Sequence, residues 1–90
     1  MIKRTRLDII KDILRIVQEN KNSIRPTPLL RKSGLSSANF KSYYSELLRM
    51  DLIQERSLRG ENKKITLTEK GFKFLERYKT IIEFIEEFEL

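Results

Sequence analysis

Thr27-Pro28-Leu29-Leu30-Arg31-Lys32-Ser33-Gly34-Leu35-Ser36-Ser37-Ala38-Asn39-Phe40 is the stretch from which the fold is read. Thr27 is a helix-capping residue type, and Pro28 fits the first helical position, where its missing N–H has no intrahelical partner to lose. A short helix from Pro28 to about Ser33 follows, with Leu29 and Leu30 directed inward. Gly34 supplies the left-handed residue that ends it. Leu35 then plugs the core, and Ser36 caps the next helix, with Ser37 as a second candidate. Along that helix Phe40, Tyr44, Leu47 and Leu48 share the buried side, which Tyr43 joins in part. Two helices about a tight glycine turn, the second longer and polar on one side, form a helix-turn-helix pattern.

Upstream, Thr5-Arg6-Leu7-Asp8 reads as a capping box. Leu7, Ile10, Leu14 and Val17 recur behind it at helical spacing, and Ile9, Ile13 and Ile16 widen the stripe. This helix runs to about Asn20, where the polar cluster Glu19-Asn20-Lys21-Asn22-Ser23 ends it. Downstream the period changes. Ile53 to Leu58 reads as a strand, Arg59-Gly60-Glu61-Asn62 as a turn, and Lys63 to Leu67 as a returning strand with Ile65 and Leu67 on one side. A hairpin directly after a helix-turn-helix is a wing. Thr68-Glu69-Lys70-Gly71 opens a last helix that can continue to the chain end, about 33 Å for about 22 residues. Gly71, in its first turn, predicts a close approach to the wing strand. The expected fold class is therefore α+β, mostly α: a winged helix-turn-helix over residues 1–68 and a long C-terminal helix over 69–90.

The totals fit one small domain. Ninety residues must share a single core, and 39% hydrophobic with 36% charged residues suits a folded chain with a densely charged surface. With no Cys and no His, disulfides and ordinary zinc sites are excluded, and no cofactor is expected. No apolar run suits a membrane span and Met1-Ile2-Lys3-Arg4 lacks a signal-peptide core, so a cytoplasmic location and no membrane partner are expected. The net charge of +6 is unevenly spread: residues 1–67 hold 15 Lys/Arg against 7 Asp/Glu, and residues 68–90 hold 4 against 6. A basic body with an acidic end is the asymmetry of a protein with one face turned to a polyanion. Solubility alone is the competing reason for such charge.

Leu35-Ser36, Phe40, Tyr43-Tyr44, Leu47-Leu48, Leu52-Ile53 and Leu67-Thr68-Glu69-Lys70-Gly71, taken in order, resemble small archaeal winged-helix proteins. These include DNA-binding regulators and the ten-kilodalton chromatin proteins of Sulfolobus. The resemblance covers nearly the whole chain and implies DNA binding. In the chromatin branch it further implies an antiparallel coiled coil between the last helices of a dimer, over residues 71–90 here. Asp51 departs from the glycine that the family often places before the Leu-Ile pair, and the wing turn is longer than in the shortest members.

With Phe40, Tyr44, Leu47 and Leu48 inward, the opposite side of the second motif helix presents Ser37, Ala38, Lys41, Ser42, Ser45 and Arg49. Short hydroxyls and a lysine meet base edges or phosphates, and Ala38 suits a thymine methyl. Asn39 is the residue type for a bidentate adenine contact, although its angle to Phe40 leaves its exposure open. Ser36 lies at the same helix end. Arg25, Arg31 and Lys32 are placed for phosphates. Arg56, Arg59, Lys63 and Lys64 around the hairpin turn are placed for a backbone or a minor groove. Lysines that merely guard a hairpin edge are the alternative there. Lys3, Arg4 and Arg6 form either a basic arm or an untidy charged terminus.

On the last helix Phe74, Leu75, Tyr78, Ile81, Ile82, Ile85 and Phe88 follow three-and-four spacing, with Phe84 beside them. Lys70, Lys73, Arg77 and Lys79 precede Glu83, Glu86, Glu87 and Glu89, an order that opposes the helix dipole and suits an antiparallel partner. The expected partners are therefore double-stranded DNA and a second copy of the chain, with folding back onto the first helix as the competing fate of this stripe. A protein-interaction adaptor is the alternative function. No constellation suggests an active site or a small-molecule pocket.

Overall fold

The computed structural model describes residues 4–57, 60 and 62–90. Helix α1 (Arg6–Glu19) opens on the expected capping box: Asp8 N–H donates to Thr5 Oγ1 at 3.1 Å, and Thr5 N–H donates to Asp8 Oδ2 at 3.2 Å. Its buried stripe is Ile10, Ile13, Leu14 and Val17. Leu7 is 45% exposed, so the stripe begins a turn later than its periodicity suggests.

Helix α2 (Pro26–Ser33) begins two residues earlier than expected. Arg25, not Thr27, is the N-cap, and it makes no side-chain capping bond. The reason lies just upstream. Ile24 is held extended by two backbone hydrogen bonds to Ile65, Ile24 N–H to Ile65 O at 3.2 Å and Ile65 N–H to Ile24 O at 2.7 Å. The helix starts where that pairing ends. Pro26 and Pro28 both fall in the first turn, whose N–H groups have no intrahelical acceptors, so neither proline breaks a bond. Gly34 closes α2 at φ +72°, as the sequence implies.

Helix α3 (Ser37–Arg49) is capped by Ser36, whose Oγ accepts from Asn39 N–H at 3.2 Å. It ends in a Schellman turn: Asp51 N–H donates to Leu48 O at 3.1 Å and Leu52 N–H to Leu47 O at 3.0 Å. Asp51 occupies the left-handed position at φ +59°, while Leu47 and Leu52 pack in the core beneath. The helix end thus has the geometry for which glycine is the usual residue, with an aspartate in the glycine's place.

Strands β1 (Ile53–Arg56) and β2 (Lys64–Leu67) pair antiparallel, Ile53 opposite Leu67 and Arg56 opposite Lys64. Both are shorter than expected, and Leu58 lies outside the described residues. The far edge of β2 carries the Ile24 bridge and a further contact, Leu67 N–H donating to Asn22 Oδ1 at 2.7 Å. A lone extended residue and an amide side chain thus serve as the third strand.

Ile13, Leu14, Val17, Leu29, Leu47, Leu52, Ile53 and Ile65 are wholly enclosed and form the centre of the core. Helix α4 (Glu69–Glu87) starts at Thr68, whose Oγ1 accepts from Gly71 N–H at 3.0 Å. A Cβ on Gly71 would stand 2.2 Å from Leu52 O and 3.4 Å from Leu67 Cβ, which accounts for the glycine by close approach. The first half of α4 packs across α1, while the second half is largely exposed along a molecule 51 Å in its longest dimension. No helix among the described residues is long and apolar enough to cross a membrane.

Candidate nucleic-acid interface

The α3 packing leaves one side of that helix to solvent. Phe40 and Leu47 are buried, and Tyr43, Tyr44 and Leu48 half-buried, so Ser37, Ala38, Asn39, Lys41, Ser42, Ser45 and Arg49 stand exposed. Asn39, ambiguous by helical angle, is on the open side. Ser36 is exposed too, but its hydroxyl is occupied by the cap. From Ser36 to Ser45 this surface carries no carboxylate. Glu46, next in line, is half-buried and neutralised by Arg6, with Arg49 at 3.7 Å.

Arg25 and Arg31 line a shallow groove with Pro26, Thr27, Pro28, Asn62 and Lys63, joining the start of α2 to the hairpin. Prolines at two of the first three helical positions remove backbone donors there, so anion capture falls to the side chains. Lys32 is exposed on the other side of α2, with Nζ 3.5 Å from Asn20 Oδ1. Of the basic residues at the N-terminus, Arg4 and Arg6 are tied to the body of the protein. Arg4 donates to Asp12 Oδ2 at 3.1 Å and to Ser33 O at 3.2 Å, and Arg6 is held by Glu46. Lys3 lies outside the described residues.

The hairpin divides its cations between two faces, because side chains alternate along a strand. On the inner face Glu55 accepts from Tyr44 of α3 and pairs with Lys63 at 3.2 Å. The Tyr44 hydroxyl, with Lys63 beside it, holds the Glu55 carboxyl below the usual carboxylate range, while burial and this bond push the Tyr44 phenol up. Lys63 is therefore partly neutralised. On the outer face Arg56 and Lys64 stand exposed and directly opposed, and among the described residues neither has a carboxylate partner. Arg59 lies outside the described residues. Glu55 was not singled out from the sequence, although period-two alternation already separates Lys63 from Lys64.

On α4 the apolar stripe splits. Leu75 is 8% exposed and belongs to the chain's own core, which corrects its assignment to an intermolecular surface. Phe74 packs against that core, and Tyr78 donates to Asp8 Oδ1 on α1 at 2.6 Å. Folding back onto α1 takes this inner half because it is the part that α1 reaches. Ile81, Phe84, Ile85 and Phe88 remain exposed, and Ile82 half-exposed. Among the described residues no cluster of His, Cys, Asp or Glu is suited to hold a metal.

A profile of the winged helix-turn-helix family matches residues 3–86. Among solved structures, Sso10a-2, a DNA-binding protein from Sulfolobus solfataricus, is similar with a TM-score of 0.74 at 20% identity, over 94% of this chain and 85% of that one. F93 from STIV, a winged-helix DNA-binding protein, gives 0.73 at 20% identity, over 90% of this chain and 92% of that one. F-93 of SSV1 gives 0.65 at 29% identity, over 96% of this chain and 99% of that one. No curated protein matches at a significant level. Three helices, a two-stranded wing and a long last helix, matched by the family profile over nearly the full length, place this chain in the winged helix-turn-helix family.

Proposed function

We propose that this protein binds double-stranded DNA as a homodimer and serves as a transcriptional regulator or an architectural chromatin component. The observation that carries the reading is the carboxylate-free exposed side of α3 from Ser36 to Ser45, together with the groove in which Arg25 and Arg31 of α2 meet Lys63 of the hairpin. The N-terminal half of α3 enters the major groove, Asn39, Lys41 and the serines facing base edges and phosphates. The wing lies on the backbone or in the minor groove. The names of two similar structures, both DNA-binding proteins, favour the same reading. Residues 1–68 then form the DNA-binding domain and residues 69–90 the pairing helix of a DNA-associated, cytoplasmic protein.

The dimer rests on the outer half of α4. Ile81, Phe84, Ile85 and Phe88 repeat at three-and-four spacing and are 51%, 53%, 37% and 57% exposed, a stripe that its own chain leaves uncovered. A two-fold antiparallel partner covers it and sets Lys73 and Arg77 of each copy beside the acidic end of the other.

The test is fluorescence anisotropy of a random-sequence duplex across a salt series. Binding that weakens with salt, at a log–log slope of about −0.9 per neutralised phosphate, is the expected outcome. No binding at low salt would overturn the reading in favour of a protein-interaction adaptor.

A further inference from the structure

We infer that Tyr44 of α3 and Glu55 of β1 are positioning residues that brace the hairpin against the helix and fix the angle at which both meet one duplex. The inference rests on the DNA reading. Glu55 stands opposite Ile65 and shares a face of the sheet with Ile53 and Leu67, and these three apolar residues are buried. Glu55 therefore marks the point where the core-facing row leaves the core. Support for the hairpin ends at the same level. Ile24 pairs with Ile65, and Asn22 Oδ1 accepts from Leu67 N–H. Among the described residues no backbone hydrogen bond from outside the hairpin reaches Arg56, Lys63 or Lys64. A two-stranded ribbon alone is marginally stable and its twist is variable, so from Ile65 outward its direction is left to side chains.

Among the described residues, the phenol of Tyr44 donating to Glu55 Oε2 is the side-chain hydrogen bond that joins α3 to the hairpin. Lys63 reaches the same carboxylate from the returning side at 3.2 Å, so one acid ties both sides of the ribbon to the helix. The helix end of the brace is stiff. The Tyr44 ring stacks on that of buried Phe40, with centroids 5.7 Å apart, and Lys41 on the open side of α3 lies one turn away. A carboxylate beside a surface offered to phosphates opposes binding, and the brace gives that acid a compensating role. Both interactions lie at the surface, so they add little to the stability of the fold and act on orientation instead. Holding helix and wing in the bound arrangement beforehand removes an ordering cost from association.

Two variants of equal charge decide the matter. Glu55→Gln and Glu55→Ala both remove the acid, but only Gln keeps an acceptor for the Tyr44 hydroxyl. Glu55→Ala is expected to bind a duplex about fivefold more weakly than Glu55→Gln, a gap that Tyr44→Phe closes when added to each. If Glu55 served only to balance Lys63, the two variants would bind alike, and more tightly than wild type. Amide residual dipolar couplings of the free protein report the angle directly. In Tyr44→Phe and Glu55→Ala the couplings of Arg56 and Lys64 are expected to depart from the orientation that fits α3, while those of Ile53 and Ile65 keep to it. Glu55→Gln is expected to retain all four. Couplings unchanged in all three variants would overturn the brace. The same pattern of couplings in a protein that binds no duplex would support the brace and reject the DNA reading. Salt-dependent duplex binding that is equal for Glu55→Gln and Glu55→Ala would overturn the positioning role and leave the DNA reading standing.

Discussion

The phenol of Tyr78 on α4 donates a 2.6 Å hydrogen bond to the carboxylate of Asp8 on α1, and the Lys11 ammonium stands 5.6 Å from the centre of the same ring. Asp8 is also the residue that completes the α1 capping box. One carboxylate therefore closes a helix end and fastens the last helix to the first. The Tyr78 bond, followed by those to Thr5, holds the Asp8 carboxyl below its usual range, and the same bond raises the Tyr78 phenol.

Stability follows from these shifts with a definite sign. The depressed Asp8 contributes fully above its unfolded value of about 3.9, and the contribution is lost as pH falls through its folded value. The raised Tyr78 contributes fully below its unfolded value of about 10 and loses it as pH climbs through the folded one. Thermal unfolding of Tyr78→Phe between about pH 2 and about pH 11 is expected to lose the wild type's steepness at both ends. A profile parallel to wild type would show that the pair does not couple to folding.

Gly71→Ala is expected to destabilise the fold by about 3 kcal/mol, because the new methyl meets the Leu52 carbonyl rather than a side chain that can swing aside. Urea unfolding measures it. A loss below about 0.5 kcal/mol would mean that the joint yields easily.

Asp51→Gly should stabilise by about 0.5 kcal/mol, since Asp51 holds a left-handed φ of +59° and its side chain makes no hydrogen bond among the described residues. The gain is modest because aspartate tolerates this region better than most residues, and glycine adds unfolded-state entropy. Destabilisation in urea would reveal a contact made by the carboxylate.

Much of this fold was legible because its signals are local. Thr5 with Asp8, Gly34, Ser36 and Gly71 each act within one turn of helix, and all stand where the residue type implies. The start of α2 was misread because Pro26 and Pro28 are equally good openers. The choice between them is made by Ile24 pairing with Ile65, a contact 41 positions away that one residue's β-propensity does not announce. Tertiary contact likewise took Leu75 into the core, since periodicity marks a face of α4 but not how far α1 extends along it. Of the candidate interface, the exposed side of α3 could be read from its buried side. The neutralisation of Lys63 could not, because Glu55 and Tyr44 meet only once helix and hairpin have packed.

That neutralisation has a measurable consequence for binding. Lys41→Gln is expected to lower duplex affinity about tenfold and to reduce the salt slope by about one. Lys63→Gln is expected to do clearly less, because Glu55 already balances that charge. Equal losses in the two variants would mean that DNA pulls Lys63 away from Glu55.

Phe84→Asp or Ile85→Asp should convert dimers to monomers in sedimentation velocity while leaving the circular dichroism of the body unchanged, since both side chains are exposed within the chain. An unaltered dimer would place the interface elsewhere.

The start of α4 is bolted to the end of α3 at several points. Thr68 Oγ1 donates to Asp51 O at 2.6 Å, Lys70 Nζ to Met50 O at 2.8 Å, and Gly71 rests against Leu52 O. Such a joint acts as a weld rather than a hinge. In the proposed pair, two reading heads would then be carried on one stiff calliper whose jaws do not adjust. Targets on the duplex would be favoured when their spacing brings both major-groove faces round to the same side, and a few inserted base pairs would turn one head away.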